Sequence, residues 1–200
     1  MSGPAQAPAP APVLSCDMLL AAYARGWFPM GHEDGALYWH DPDPRAIFPL
    51  EDLSPGRTSR RILQRSPFRT TRDQAFTEVM RGCADRPETW ITEEMIFAYT
   101  ALHELGHAHS VEVWKEGALV GGIYGVHLGS AFFGESMFGR ESNASRIAFL
   151  TLLEHLQHRG FHLFDSQYLN AHTALLGAVE IPRGAFRLEL ASALQRECRF

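Results

Sequence analysis

Apolar and polar residues alternate with two different periods along this chain, and each change of period marks a new element. Leu19, Ala22 and Tyr23 recur at helical spacing within Ser15–Arg25, where Ser15 can cap, Asp17 sits in the first turn and Gly26 stops the run. Trp27-Phe28-Pro29-Met30-Gly31 reads as an apolar turn. Leu37–His40 and Arg45–Phe48 read as short strands around Asp41-Pro42-Asp43-Pro44. Further on, the pattern predicts a helix over Thr58–Arg65, a strand over Phe68–Thr71 and a helix over Gln74–Cys83. The strongest helix signal is Thr92–Leu105. Thr92 is its cap, Glu93 and Glu94 answer the positive helix start, and Met95, Ala98, Tyr99, Leu102 and Leu105 form a buried stripe.

Strand alternation then takes over. Ser110–Trp114, Leu119–Val126 and Ser130–Phe133 are separated by Lys115-Glu116-Gly117 and His127-Leu128-Gly129, which predicts a three-stranded antiparallel meander. A long helix over Asn143–His158, a strand over Phe161–Ser166 and helices over Asn170–Leu176 and Ala185–Leu194 complete the chain. This order predicts an α+β sandwich, one sheet with helices on it. The expected organisation is an Ala/Pro-rich disordered tail over 1–12, a small N-terminal α+β domain over 13–58 and the main domain over 59–200.

Composition narrows the function classes. With 200 residues and 46% hydrophobic content, the chain can bury one real core. No apolar run approaches the ~20 residues of a membrane span, and the start lacks a signal peptide's pattern, so a cytoplasmic protein is expected. Cys16, Cys83 and Cys198 are scattered and unpaired in sequence, which predicts neither disulfides nor a cysteine metal site. Net charge is −5, yet Arg57, Arg60, Arg61, Arg65, Arg69 and Arg72 crowd one stretch. Such a run is either a solvated face or a local phosphate-contacting patch.

His103-Glu104-Leu105-Gly106-His107 matches the H-E-x-x-H pattern of zinc peptidases. That chemistry needs one continuous helix to aim both histidines at the metal. Gly106 is placed to stop the helix and Ala108-His109-Ser110-Val111 already alternates, so His103 and His107 are not expected to point together. No metal is expected, and a zinc metallopeptidase is the weakest alternative. Two carboxylates carry a better candidate. Glu135 lies in the aromatic stretch Phe132–Phe138, and Asp165 ends the apolar run Phe161–Phe164. In an extended chain Asp165 and Gln167 share a face. Apolar surroundings raise a carboxyl's proton affinity and a donor such as Gln167 opposes that, a setting suited to managing an amine's proton. Nucleotide-loop, dinucleotide-fold and serine-elbow motifs are missing. An activated acyl donor attacked by an amine fits what remains.

At these residues the chain resembles the leucyl/phenylalanyl-tRNA–protein transferase family, from about Leu19 to Leu188. The resemblance rests on Ala22–Pro29, Trp39–Arg45, Trp90-Ile91-Thr92, Leu105–Glu112, Val120–Val126, Gly134–Phe138 and Asp165-Ser166-Gln167, in that order. It implies an acetyltransferase-like (GNAT-like) sheet-and-helix domain behind the small N-terminal one. It implies transfer of Leu or Phe, and Met less readily, from aminoacyl-tRNA to proteins with N-terminal Arg or Lys, marking them for degradation. No cofactor is implied, because the donor ester lies above the product amide in energy. By match to the family's motifs, Asp165 and Gln167 form the catalytic pair and Glu135 supports them. Trp90 and Tyr99 meet the 3′-terminal adenosine. Ile123, Phe132, Met137, Phe149 and Leu152 shape the pocket for the transferred side chain. Arg57, Arg60, Arg61 and Arg65 face acceptor-stem phosphates. Met30 and Leu152 stand where the family often has tryptophan and phenylalanine. A coenzyme A-dependent N-acetyltransferase is the nearer rival, although Gly139–Ala144 lacks that fold's pyrophosphate-binding turn and carries Glu141 there.

Overall fold

The computed structural model describes residues 14–200 except 33 and 55, so the expected 1–12 tail lies outside the described residues. The chain runs α1 (Cys16–Tyr23), β1 (Phe28–Gly31), β2 (Leu37–His40), β3 (Arg45–Phe48), α2 (Arg57–Gln64), β4 (Arg69–Arg72), α3 (Phe76–Ala84) and α4 (Glu93–Glu104). It continues β5 (Ala108–Lys115), β6 (Ala118–Leu128), β7 (Ala131–Gly139), α5 (Ala144–Arg159), β8 (Leu163–Gln167), α6 (Ala171–Leu176), β9 (Val179–Ile181) and α7 (Arg183–Leu194). The predicted caps form: Ser15 Oγ accepts the Met18 N–H and Thr92 Oγ1 the Met95 N–H, both at 3.2 Å. Leu105, expected in the buried stripe, is 63% exposed because α4 has already ended. No helix among the described residues is long and apolar enough to cross a membrane.

The expected meander is β5-β6-β7, and it sits in a seven-stranded sheet of order β4-β5-β6-β7-β8-β3-β9. All described pairs in it are antiparallel except β7 and β8, which the crossover helix α5 joins in parallel. One face packs against α1, α3, α4 and α7 through Leu19, Met80, Tyr99 and Phe186. The other packs against α5 and α2 through Phe149, Leu153, Ile62 and Leu63. A sheet covered on both faces by helices is the GNAT-like α+β arrangement expected.

Three features depart from the sequence pattern. Phe28–Gly31 is a strand paired with β2, not a turn. Val179–Ile181 forms an edge strand that no apolar run announces. β3, expected in the small N-terminal unit, instead lies between β8 and β9 in the large sheet, with Ala46 and Phe48 buried there.

Candidate active site

Two β-bulges build the site. On β6–β7, Tyr124 faces Ser136 while Gly125 faces Gly134, which leaves Glu135 as the unpaired extra residue. On β3–β8, Ala46 faces Gln167 while Ile47 faces Asp165, which leaves Ser166 unpaired. A bulge turns its extra residue out of strand alternation and re-aims it. Only glycine fits at Gly125, where a Cβ would lie 2.2 Å from the Phe133 carbonyl oxygen. Glu135 is therefore in mid-strand, because the strand expected to end at Phe133 runs on to Gly139.

Both bulged residues line a cavity of about 360 Å³ together with Phe48, Trp90, Ile123, Met137, Phe164, Gln167, Asn170 and Thr173. A second cavity of about 200 Å³ is lined by Phe28, Met30, Tyr168 and the shared residues Trp90, Glu135, Ser166, Gln167 and Asn170. The larger chamber has an apolar wall of Phe48, Ile123, Met137 and Phe164 facing polar Arg86, Ser136 and His172, and the smaller is lined by Phe28, Trp90 and Tyr168 with Met30. Glu135 and Gln167 belong to both.

Glu135 Oε1 accepts the Tyr23 hydroxyl at 2.7 Å and the Gln167 side-chain N–H at 3.1 Å. Burial pushes its carboxyl up to about 8, with the Tyr23 bond opposing and the nearby Asp165 charge adding to the rise. Tyr23 and Tyr99 share a 2.5 Å hydroxyl–hydroxyl contact, and burial raises both phenols well above their ordinary value.

Asp165 does not open into either cavity. It is fully buried, and Arg45 Nε and Nη2 donate to its two oxygens at 2.9 and 2.6 Å. Its Oδ1 also accepts the backbone N–H of Gln167 at 3.0 Å. Gln167 takes a left-handed conformation, φ +57°. The bulge and this turn separate the two side chains, so the shared face predicted for Asp165 and Gln167 does not form. Arg45 itself is fully buried; Nη1 donates to the Gly26 carbonyl at 2.8 Å and the guanidinium carbon lies 4.4 Å from the Phe186 ring centre.

The remaining predicted residues divide. Trp90, Ile123 and Met137 line the larger cavity. Tyr99 is wholly buried beneath Tyr23 and shows no face to a base, which corrects its expected contact with adenosine. Phe132, Phe149 and Leu152 are buried, and none of them lines the cavity. Phe132 and Phe149 pack on Phe164 at ring separations of 5.7 and 5.9 Å, so they support the wall from behind. Phe48, Phe164, Ser166, Asn170 and Arg45 were missed. Arg45 had a usable signal: one cation opening an apolar strand, and one carboxylate, Asp165, ending another.

Arg57, Arg60, Arg61 and Arg65 are exposed on and just after α2. Arg60 donates to Ser54 Oγ at 2.9 Å, and Arg61 and Arg65 line an open groove with Phe68, Lys115 and Glu141. The H-E-x-x-H histidines diverge as expected: Gly106 ends the helix at φ +79°, His103 Nδ1 meets the Ala108 carbonyl and His107 Nδ1 the His127 carbonyl. His103 instead gathers with His109 and Asp73, one ligand atom of each within 4.8 Å. His109 Nδ1 already bonds Asp73 at 2.8 Å and His103 Nδ1 bonds Ala108 at 2.7 Å. A cation would have to displace those bonds.

The leucyl/phenylalanyl-tRNA protein transferase model matches residues 47–191, and that family's N-terminal domain model matches 13–43. The chain belongs to the leucyl/phenylalanyl-tRNA–protein transferase family. Curated members of that name include one from Gloeobacter violaceus, 47% identical over 94% of this chain and 97% of its own length. Another, from Ruegeria pomeroyi, is 49% identical over 92% of this chain and 89% of its own length. Among solved structures, FemX superposes with a TM-score of 0.53 at 15% identity, covering 87% of this chain. This chain spans 65% of that structure, and the likeness concerns the fold alone. The family's name replaces the acetyltransferase and peptidase alternatives with aminoacyl transfer.

Proposed function

We propose that this aminoacyltransferase moves a leucyl or phenylalanyl group, and methionyl less readily, from tRNA to the α-amine of a protein's N-terminal Arg or Lys. The product is an N-degron, and the compartment is the cytoplasm. One observation carries the reading: a chamber with one apolar wall and a chamber rich in aromatic side chains share Glu135 and Gln167. An aminoacyl-adenosine end has that bipartite shape. Its side chain fits among Phe48, Ile123, Met137 and Phe164, and its base against Trp90 and Tyr168. The ester carbonyl then falls at the shared residues.

The amine nitrogen bonds to the ester carbon, and the bond to the adenosine 3′-oxygen breaks. One proton leaves the amine and one joins the departing oxygen, so no external acid or base is consumed. Glu135, held near 8, matches a free α-amine at about 7.7–8.0 and can pass that proton at little cost. Gln167 uses its N–H on Glu135 and presents the rest of its amide to the reacting centre. Asp165, bound by Arg45, acts on the reaction through Gln167 and does not touch the amine. Arg57, Arg60, Arg61 and Arg65 supply sequence-independent attraction for tRNA phosphates.

The test mixes purified protein with radiolabelled Leu-tRNA and a protein bearing N-terminal Arg, in EDTA and without ATP. Label is expected on the acceptor's N-terminus. Absence of transfer, or equal transfer to acceptors with N-terminal Asp, would overturn the reading.

A further inference from the structure

We propose that Arg45 is a positioning residue for transfer: acting through Asp165, it fixes the backbone of Gln167 and so aims that side chain at Glu135. The proposal rests on the function above. Arg45 contacts three parts of the molecule that the chain separates widely. Its fork holds both oxygens of Asp165 on β8, its third nitrogen holds the Gly26 carbonyl after α1, and its plane lies between Phe28 of β1 and Phe186 of α7 at 4.9 and 4.4 Å. No exposed surface remains to it. A group so enclosed cannot touch substrate, and so many fixed contacts leave the guanidinium one position.

The consequence falls on Gln167. A residue other than glycine avoids positive φ unless its surroundings hold it there. Here the holding bond is Gln167 N–H to Asp165 Oδ1, the same oxygen that Arg45 Nε grips. In an ordinary extended conformation the side chain would leave Glu135, because successive residues of a strand point to opposite faces. The other side of the site is registered by the same unit. Tyr23, at the end of α1, bonds Glu135 Oε1, and Gly26 three residues later is tied to Arg45. Arg45 therefore sets Gln167 against Glu135 from one side while Tyr23 sets Glu135 from the other. Lysine has the charge but not the fork, so it cannot hold Asp165 and Gly26 together.

The experiment compares full-length wild type with Arg45→Lys, Arg45→Met, Asp165→Asn and the double variant Arg45→Met with Asp165→Asn. The double variant leaves no unpaired buried charge and guards against loss of fold. For Arg45→Lys, kcat is expected to fall about 100-fold, the scale of a displacement near 1 Å at a reacting centre. KM for Leu-tRNA should stay within about threefold. The double variant should lose no more kcat than the worse single variant, because both residues act through one geometry. Losses that multiply, kcat retained within about threefold in Arg45→Lys, or a rise in KM alone would overturn the assignment. The side-chain amide resonance of Gln167 gives a reading independent of transfer. It should move in Arg45→Lys while the Trp90 indole signal stays. An unmoved Gln167 signal overturns the proposal even if the wild type transfers nothing, an outcome that would separately refute the function.

Discussion

Asp165→Ala and Gln167→Ala change residues two apart in one motif, and the structure separates their effects. Asp165→Ala leaves the Arg45 guanidinium buried without its anion, removing bonds of 2.9 and 2.6 Å. Breaking a buried pair by deleting one partner costs about 3–5 kcal/mol. The bond to Gly26 and the flanking rings survive, which favours the lower half of that range. At roughly 2–4 °C per kcal/mol for a chain this size, the melting temperature should fall by about 6–16 °C. Gln167→Ala removes one side-chain bond, worth about 1 kcal/mol, and roughly 2–4 °C. Its cost appears in kcat, about 100- to 1000-fold, as for removal of a polar group at an acyl-transfer centre. Circular-dichroism melts at pH 7 read the first quantity, and transfer rates taken well below each variant's melt read the second. Asp165→Ala melting within about 2 °C of wild type, or destabilising the fold less than Gln167→Ala does, would refute the buried pair as the role of Asp165.

Three other outcomes follow from the same geometry. Trp90→Ala should raise KM for Leu-tRNA roughly 5- to 150-fold, the loss of one base stack, and a KM unchanged within about threefold would place the adenosine elsewhere. Folding raises the Glu135 carboxyl to about 8 from an ordinary 4.5, so the folded state binds the extra proton and its stability is fullest below pH ~4.5 and declines as pH climbs through ~8. Thermal melts from pH 6 to 9 should therefore fall less steeply for Glu135→Gln than for wild type, and equal slopes would contradict the raised value. Replacing Arg57, Arg60, Arg61 and Arg65 with Gln should flatten the salt dependence of kcat/KM by about one log–log unit for each phosphate no longer neutralised; an unchanged slope would place the tRNA stem elsewhere.

Local signals account for what was legible. Thr92, with two glutamates behind it, can cap a helix in almost any setting, and it does. Leu37–His40 and Arg45–Phe48 are strands over the predicted residues, since turn-forming Asp-Pro steps bound them tightly. Gly106 stops α4 and so takes His107 away from His103, which is how a metal motif in the letters fails to become one in space. β9 escaped because Val179-Glu180-Ile181 is too short to show a period. The extended-chain rule failed for Asp165 and Gln167 because period two holds only without a bulge, and an extra residue is defined by the partner strand.

The sequence by itself determined the family, the succession of elements and the candidate stretch around Glu135, Asp165 and Gln167. Those rest on side chains acting on their own neighbourhood or on several motifs kept in order. Only the tertiary structure decided the division of labour. Arg45 and Asp165 are 120 residues apart in the chain, and their pairing needs β3 to enter the sheet beside β8. Tyr99 and Trp90 lie on neighbouring stretches, yet one is sealed under Tyr23 and the other walls the cavity. Burial and register are properties of the packed sheet, and they determine which polar group lines the cavity and which holds another in place.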